Sequence, residues 1–215
     1  MASIPFSAWL SLIGLMEAHF RRGLAGRDAV SEEIARVLAL LEPLPPLSGP
    51  FPRNRQPATR HLEAAFQAGS AATADLLATI RPVASHLPWR YSYTKRKDAP
   101  GIGRNIAFAE LVGPKAPFQS DRVCLGLTLI GPGTLYPAHA HPAVELYYVV
   151  AGMAEWTAGE NAQRPAPGAF VLHPSQVVHS MRTDAEPLLA VYSWSGDDVK
   201  TLSAYTSPNP SPFHE

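Results

Sequence analysis

From Trp89 onward, the sequence is a succession of short β-branched and aromatic runs, each ended by glycine or proline. Segments this short, and interrupted this regularly, are typical of an all-β barrel or sandwich. Seven strands are predicted, over Asn105–Val112, Val123–Ile130, Glu145–Val150, Ala154–Thr157, Phe170–Leu172, Val177–Met181 and Leu188–Trp194. The pattern therefore predicts a mainly β fold for this part of the chain.

The first 82 residues have a helical pattern instead. Apolar residues three or four positions apart predict four helices, over Trp9–Phe20, Ser31–Leu41, His61–Ala68 and Thr73–Ile80. Ser31, followed by two glutamates, is interpreted as the N-cap of the second helix. Six prolines between Pro43 and Pro57 predict an irregular connector. We expect a helical region over 1–82 packed on or extending the barrel, a β-barrel over 83–205, and an extended or disordered tail over 206–215.

Charge and cysteine content exclude several classes of function. Lys+Arg and Asp+Glu both total 18, so nothing indicates a nucleic-acid or anionic-membrane partner. No apolar run reaches the roughly 18 residues of a membrane span, and no basic segment precedes the apolar start of the chain. We therefore expect a soluble, cytoplasmic protein. The single cysteine, Cys124, lies in an apolar run and is interpreted as a core residue.

The segment 133–152 contains three of the four candidate metal ligands. His139 and His141 are two residues apart, so on an extended strand both project to one side. Glu145 follows at an even step and can return a carboxylate to that side. Imidazole and carboxylate groups together suit divalent ions such as Fe(II), Zn(II) or Mn(II). A Pro-Gly turn at 167–168 and a corner at Pro174 precede a strand that would bring His179 into the same space.

The other histidines are interpreted without a metal role. His173 lies in an apolar run and is expected to be a core residue. Surface positions are expected for His19, His61, His86 and His214.

Three aromatic residues are candidates for the surroundings of the metal. Tyr147 is two residues beyond Glu145 and therefore shares its strand face. A phenol beside a metal can act as a general base, because a neighbouring cation lowers its pKa. Tyr136 precedes the ligand strand, and Trp194 lies on a late strand that could reach the same cavity. Aromatic faces also suit a cationic substrate group, at about 0.5–2 kcal/mol each. The alternative for each residue is simple filling of the barrel.

The spacing of these residues resembles that of a known superfamily. Gly133, His139-x-His141, Glu145 and Gly152 stand at the intervals of the first cupin motif, and the Pro-Gly turn followed by His179 resembles the second. The terminal asparagine usual in the second motif is absent. On these motifs the chain is identified as a member of the cupin superfamily. With Tyr136, Tyr147, Trp194 and the helical N-terminal region, it is similar to the bacterial cupin-type dimethylsulfoniopropionate (DMSP) lyases of the DddQ-like group.

The resemblance implies a double-stranded β-helix barrel and a lyase that splits DMSP, a zwitterionic sulfonium carboxylate, into dimethyl sulfide and acrylate. It implies a divalent metal on the four ligands, Tyr147 as the base that removes the α-proton, and Tyr136 as a metal or substrate contact. Tyr148 and Trp194 would contact the sulfonium.

Other functions stay open at the level of the sequence. They are an Fe(II) dioxygenase, a sugar isomerase, and a non-enzymatic ligand-binding or regulatory cupin. The amphipathic helix Trp9–Phe20 could cover its own barrel or that of a second copy, so a homodimer is one option.

Overall fold

A computed structural model describes residues 5–48, 56–93 and 101–206. Its α-helices are α1 Phe6–Arg21, α2 Ala29–Leu41, α3 Leu62–Gln67 and α4 Ala74–Ile80. Its strands are β1 Trp89–Arg90, β2 Ile106–Gly113, β3 Phe118–Gln119, β4 Cys124–Ile130, β5 Leu135–Ala140, β6 Val144–Ala151, β7 Ala154–Ala158, β8 Asn161–Gln163, β9 Phe170–His173, β10 His179–Thr183, β11 Leu188–Ser195 and β12 Ala204–Tyr205.

The strands form two facing sheets. The larger has the order β1-β2-β4-β11-β6-β9, with β3 added beside β2, and the smaller has the order β12-β5-β10-β7-β8. Every pairing is antiparallel except that of β2 with β3. Side chains from both sheets fill the interior between them with an aromatic-rich core. The mainly β, cupin-type barrel expected from the sequence is confirmed.

The helices cover the outer face of the larger sheet. Because side chains alternate along a strand, β6 divides its residues between two cores. Leu146, Tyr148 and Val150 pack with the helices, whereas Tyr147 and Val149 face the barrel interior. Almost every residue of β6 is buried, so the strand is covered on both sides. The helical region and the barrel share one buried cluster, and the boundary at residue 82 stays a prediction.

The start of α2 differs from the prediction. Asp28, not Ser31, is the N-cap: its carboxylate accepts a hydrogen bond of 2.9 Å from the Ser31 N–H. Ser31 is the third residue of the helix and accepts from the Asp28 N–H at 3.1 Å, which completes a capping box. The helix begins three residues earlier than its serine suggests. Glu33, on the same helix, is buried.

Most predicted strand boundaries agree with the structure to within one or two residues. The short strands β1, β3, β8 and β12 were not predicted, because two or three residues carry no periodic pattern. An extended strand was expected at His139, but the bounds of β5 were not predicted. Within the described ranges, none of the helices is both long and apolar enough to pass through a bilayer. Most of the expected tail, and part of the proline-rich connector, lie outside the described residues.

Candidate metal centre and adjoining cavity

Both sheets contribute to the candidate metal centre. His139 on β5 and His179 on β10 are directly paired in the smaller sheet, whereas Glu145 lies on β6 in the larger sheet. His141 follows the end of β5, at the bend that leads to β6. These four residues are at most 3% exposed, and one donor atom from each lies within 4.8 Å of the others. The four predicted ligands are thus brought together.

The backbone fixes the orientation of all three imidazoles. In each imidazole, Nδ1 lies close to a backbone carbonyl oxygen. The distance is 2.7 Å from His139 Nδ1 to the Pro137 oxygen, 2.9 Å from His141 Nδ1 to the Ala143 oxygen, and 2.8 Å from His179 Nδ1 to the Val177 oxygen. A carbonyl oxygen can only accept, so each Nδ1 carries the proton. Nε2 is therefore left as the donor atom for a metal, in the arrangement by which ligating histidines are usually held.

The charges around Glu145 also suit a cation. Burial alone would raise the pKa of Glu145, but His141 and His179 hold it well below its usual range. Their Nε2 atoms lie 3.0 and 3.2 Å from Glu145 Oε2. Burial, together with His179, lowers the pKa of His139 to about 3, so its imidazole is neutral. Its Nε2 has no hydrogen-bond partner among the described residues. A buried carboxylate beside an unpartnered imidazole nitrogen fits a divalent ion.

Trp194 contacts two of these four residues. It stands opposite Glu145 in the β11–β6 pair, and its indole Nε1–H donates a 2.7 Å hydrogen bond to Glu145 Oε1. Its ring centroid is 4.4 Å from that of His141. Trp194 therefore fixes the carboxylate as well as lining the adjoining cavity. Its predicted contact with substrate stays a prediction.

A β-bulge turns Tyr136 into the interior. Tyr136 is three positions before His139, and regular alternation would place the two side chains on opposite faces. On the neighbouring strand β10, His179 pairs with His139 and Met181 pairs with Tyr136. Between these two pairs β5 has two residues and β10 has one, so β5 contains a bulge. The Tyr136 ring consequently stacks on the His139 imidazole, with 4.1 Å between centroids.

Tyr147 lies on the interior face, as predicted from its spacing to Glu145. It is 1% exposed, lines the cavity and packs edge-on against Trp156, with 4.7 Å between ring centroids. Burial, followed by the Glu145 carboxylate, raises the pKa of Tyr147 well above its usual value. The phenol is therefore protonated unless a cation offsets these two effects.

The expected contact of Tyr148 with substrate is wrong. Tyr148 is three residues from Glu145 and points to the helical side of β6, where its hydroxyl lies 2.8 Å from His19 Nδ1. The surface position expected for His19 is also wrong. His19 is completely buried, and its Nε2 lies 2.9 Å from Asp75 Oδ1. Since a carboxylate only accepts, the neutral imidazole donates from Nε2 and accepts from the Tyr148 hydroxyl.

The remaining histidines have different surroundings. His173 is buried, as expected, but its ring stacks on His179 at 4.1 Å and 10°. Neither of its nitrogens has a hydrogen-bond partner among the described residues, and burial lowers its pKa to about 3. His61 and His86 are half-buried, and His214 lies outside the described residues.

A cavity of about 220 Å³ adjoins the ligands on the Glu145 side. Besides Glu145, its walls include six aromatic side chains: Tyr93, Phe108, Tyr136, Tyr147, Tyr192 and Trp194. Tyr93, Phe108 and Tyr192 were not predicted from the sequence. Tyr192 could have been found, because it lies two residues before Trp194 on one strand. Its ring approaches Gly126 so closely that a Cβ there would lie 2.7 Å from Tyr192 Cε1. Tyr93 and Phe108 carried no signal in their spacing.

Fold and site together define a cupin with a buried three-histidine, one-glutamate donor set beside an aromatic cavity. Comparison with known proteins gives the family: the DMSP lyase family model matches residues 29–190. The chain belongs to the DMSP lyase family and is thus an enzyme of the lyase class.

Individual relatives agree with this family. The chain is 32% identical to DddL of Cereibacter sphaeroides, a protein assigned as a DMSP lyase, over 89% of this chain and 84% of that protein. It is 35% identical to the DMSP lyase DddQ of Ruegeria pomeroyi over 121 residues, 56% of this chain and 60% of DddQ. The crystal structure of DddQ from Ruegeria pomeroyi superposes with a TM-score of 0.78 and 29% identity, over 95% of this chain and 98% of that chain. Membership of a lyase family removes the non-enzymatic alternative.

Proposed function

We propose that this enzyme cleaves DMSP, or a closely similar sulfonium carboxylate, into dimethyl sulfide and acrylate by β-elimination. The observation that carries the proposal is the buried donor set opening, through Glu145, onto an aromatic cavity that also contains Tyr147. The relatives named as DMSP lyases support the choice of substrate.

The ion would be a divalent transition metal such as Fe(II), Zn(II) or Mn(II), held by His139, His141, Glu145 and His179. When bound, it would act as a Lewis acid on the substrate carboxylate and offset the burial and negative charge that raise the pKa of Tyr147.

Tyr147 is the proposed general base. Its phenolate oxygen takes the proton from the carbon next to the carboxylate, and the electron pair of that C–H bond becomes the C=C bond of acrylate. The C–S bond breaks at the same time, and its electron pair leaves with sulfur as neutral dimethyl sulfide. Tyr147 then holds the proton and must release it to solvent before the next cycle. Its burial keeps water from competing at the phenolate oxygen.

Tyr136 and Trp194 are the proposed positioning aromatics of the substrate. Tyr136 lies against the imidazole of His139, and Trp194 lies against that of His141, so the two flank the donor set. Their faces, with those of the other cavity aromatics, suit a sulfonium through cation–π attraction of about 0.5–2 kcal/mol. A substrate whose carboxylate is directed to the donor set would then keep its cationic end among aromatic rings.

Product analysis without oxygen tests this reaction against an Fe(II) dioxygenase, which needs O₂ as co-substrate. We expect dimethyl sulfide and acrylate in equal amounts, at the same rate in air and under nitrogen. Formation of product only in air would contradict the proposal and favour the dioxygenase. Turnover of a sugar in place of DMSP would favour the isomerase.

Oligomeric state and location stay predictions from the sequence. Light scattering on the purified protein tests for a homodimer, and fractionation of the source cell tests the cytoplasmic location.

A further inference from the structure

A buried carboxylate outside the donor set has no role in the reaction described above. Glu33 on α2 is 4% exposed and packs against the outer face of the larger sheet, where the helices cover it. Burying a carboxyl group is costly unless it is well hydrogen-bonded. Burial raises the pKa of Glu33, while a hydrogen bond from Ser195 and the charge of Arg36 act in the opposite direction.

The partner of this carboxylate is the last residue of β11. The Ser195 hydroxyl donates to Glu33 Oε1, and Arg36 Nε lies 3.5 Å from Oε2. Ser195 is fully buried, and the chain turns immediately after it at Gly196, where φ is 108°. The bond therefore ties α2 to β11 at the point where the strand ends.

Trp194 is the residue next to this tie. Because side chains alternate along β11, Ser195 faces the helices while Trp194 enters the barrel interior. There its indole N–H donates to Glu145 at 2.7 Å. A short path thus runs from the helical layer to a metal ligand: Glu33 to Ser195, one peptide step to Trp194, and then to Glu145.

We propose that Glu33 is a positioning residue, which fixes the end of β11 so that Trp194 holds Glu145 in its ligating orientation. The N-terminal helices would then contribute directly to the metal centre. The inference rests on the proposed metal site but not on the substrate. Partners of metal-ligating side chains affect metal affinity by about 10- to 100-fold.

Zinc affinity, measured by competition with a chromogenic chelator, tests the inference in the full-length protein. Glu33→Met keeps the volume and removes the acceptor, and Glu33→Gln keeps an acceptor for Ser195. We expect Glu33→Met to weaken zinc binding by about tenfold and Glu33→Gln to stay within about threefold of wild type. Glu32→Met is the matched control, since Glu32 is the exposed neighbour on the same helix; it should bind zinc as wild type does.

A second variant breaks the same bond from the strand side. Ser195→Ala should weaken zinc binding about as much as Glu33→Met, and it decides the matter if Glu33→Met does not fold. Its control is Ser193→Ala, also buried on β11, which loses only a 3.5 Å contact with the Leu146 oxygen. The inference is overturned if the Ser195 variant binds zinc as tightly as wild type, whether or not its thermal stability falls. Wild-type protein that binds zinc but releases no dimethyl sulfide with Fe(II), Zn(II) or Mn(II) would contradict the proposed function only.

Discussion

Trp194 and Glu145 face each other across the β11–β6 pair, and the indole N–H of Trp194 donates to Glu145 Oε1 at 2.7 Å. The other carboxylate oxygen, Oε2, lies 3.0 Å from His141 Nε2 and 3.2 Å from His179 Nε2. One oxygen is thus held by the protein, while the other points among the imidazoles. The carboxylate has a fixed orientation and leaves one oxygen for a metal.

Trp194→Phe tests that orientation. Phenylalanine keeps an aromatic ring near His141 but has no N–H, so Glu145 Oε1 loses the hydrogen bond from the indole of Trp194. We expect metal affinity to fall by about tenfold, measured by chelator competition. Trp156→Phe is the control, because the Trp156 Nε1 has no hydrogen-bond partner among the described residues. Equal affinities of Trp194→Phe and wild type would show that the hydrogen bond does not orient the ligand.

Tyr147→Phe removes the proposed base. General-base catalysis contributes about 10²- to 10⁴-fold, so we expect kcat to fall by about this factor while bound metal stays at the wild-type level. Metal analysis of the purified variant and initial rates of dimethyl sulfide release check the two parts. The adjacent Tyr148→Phe is the control: it loses its bond to His19, at about 1 kcal/mol of stability, but should keep its turnover. Substantial turnover in Tyr147→Phe would assign the base to another group.

Removal of metal should affect both activity and stability. A chelator should abolish turnover, and adding back a divalent ion should restore it. Because an ion that binds only the folded protein stabilises it, ion at about 100 times its Kd should add about 2.7 kcal/mol to the free energy of unfolding. Thermal denaturation with and without ion measures this change. His179→Ala should lose the effect of the ion on unfolding. Full turnover in chelated protein, verified as free of metal, would exclude a metal-dependent reaction.

His19 should make the protein sensitive to acid. Burial lowers the pKa of His19 below 6.5. The charge of Arg22 lowers this pKa further, whereas that of Asp75 raises it. His19 therefore takes up a proton near pH 6.5 in the unfolded chain but only at lower pH in the folded chain. The contribution of neutral His19 to the free energy of unfolding is complete above pH 6.5 and decreases as the pH falls below it. The slope from this group is at most about 1.4 kcal/mol per pH unit.

The matched variant for this effect is His19→Gln, which can still bridge Tyr148 and Asp75 but does not titrate. Urea unfolding at pH 7.5 and pH 5.5 should show a smaller acid loss of stability in the variant than in wild type. His139 and His173, whose pKa values are also lowered, are present in both proteins and cancel in the comparison. An unchanged acid loss would show that His19 is not the responsible group.

The sequence contained enough information to bring the ligands together, because ligand spacing along strands is a local property. Even steps placed His139, His141 and Glu145 on one side, and the same alternation placed Tyr147 beside them. Alternation also indicated that Tyr148, three residues from Glu145, would face away. Alternation along β6 thus argues against a substrate contact of Tyr148, which packs with the helices.

Other features depend on contacts between distant segments and could not be read from the sequence. The bulge in β5 depends on how that strand pairs with β10, so the inward turn of Tyr136 had no local signal. The burial of His19 and Glu33 depends on where the helices dock on β6 and β11. A charged residue on a helix is usually solvated, and only the tertiary partner reverses this expectation.

The most direct test of the proposed lyase reaction is a measurement of dimethyl sulfide in the headspace above purified protein, DMSP and one divalent ion, without oxygen. Fe(II), Zn(II) and Mn(II) should be tried separately, each against a chelated control. We predict dimethyl sulfide well above the control with at least one of these ions, and acrylate in equal amount. No dimethyl sulfide above the metal-free control with any of them, from protein that binds the ion, would contradict the proposed lyase reaction.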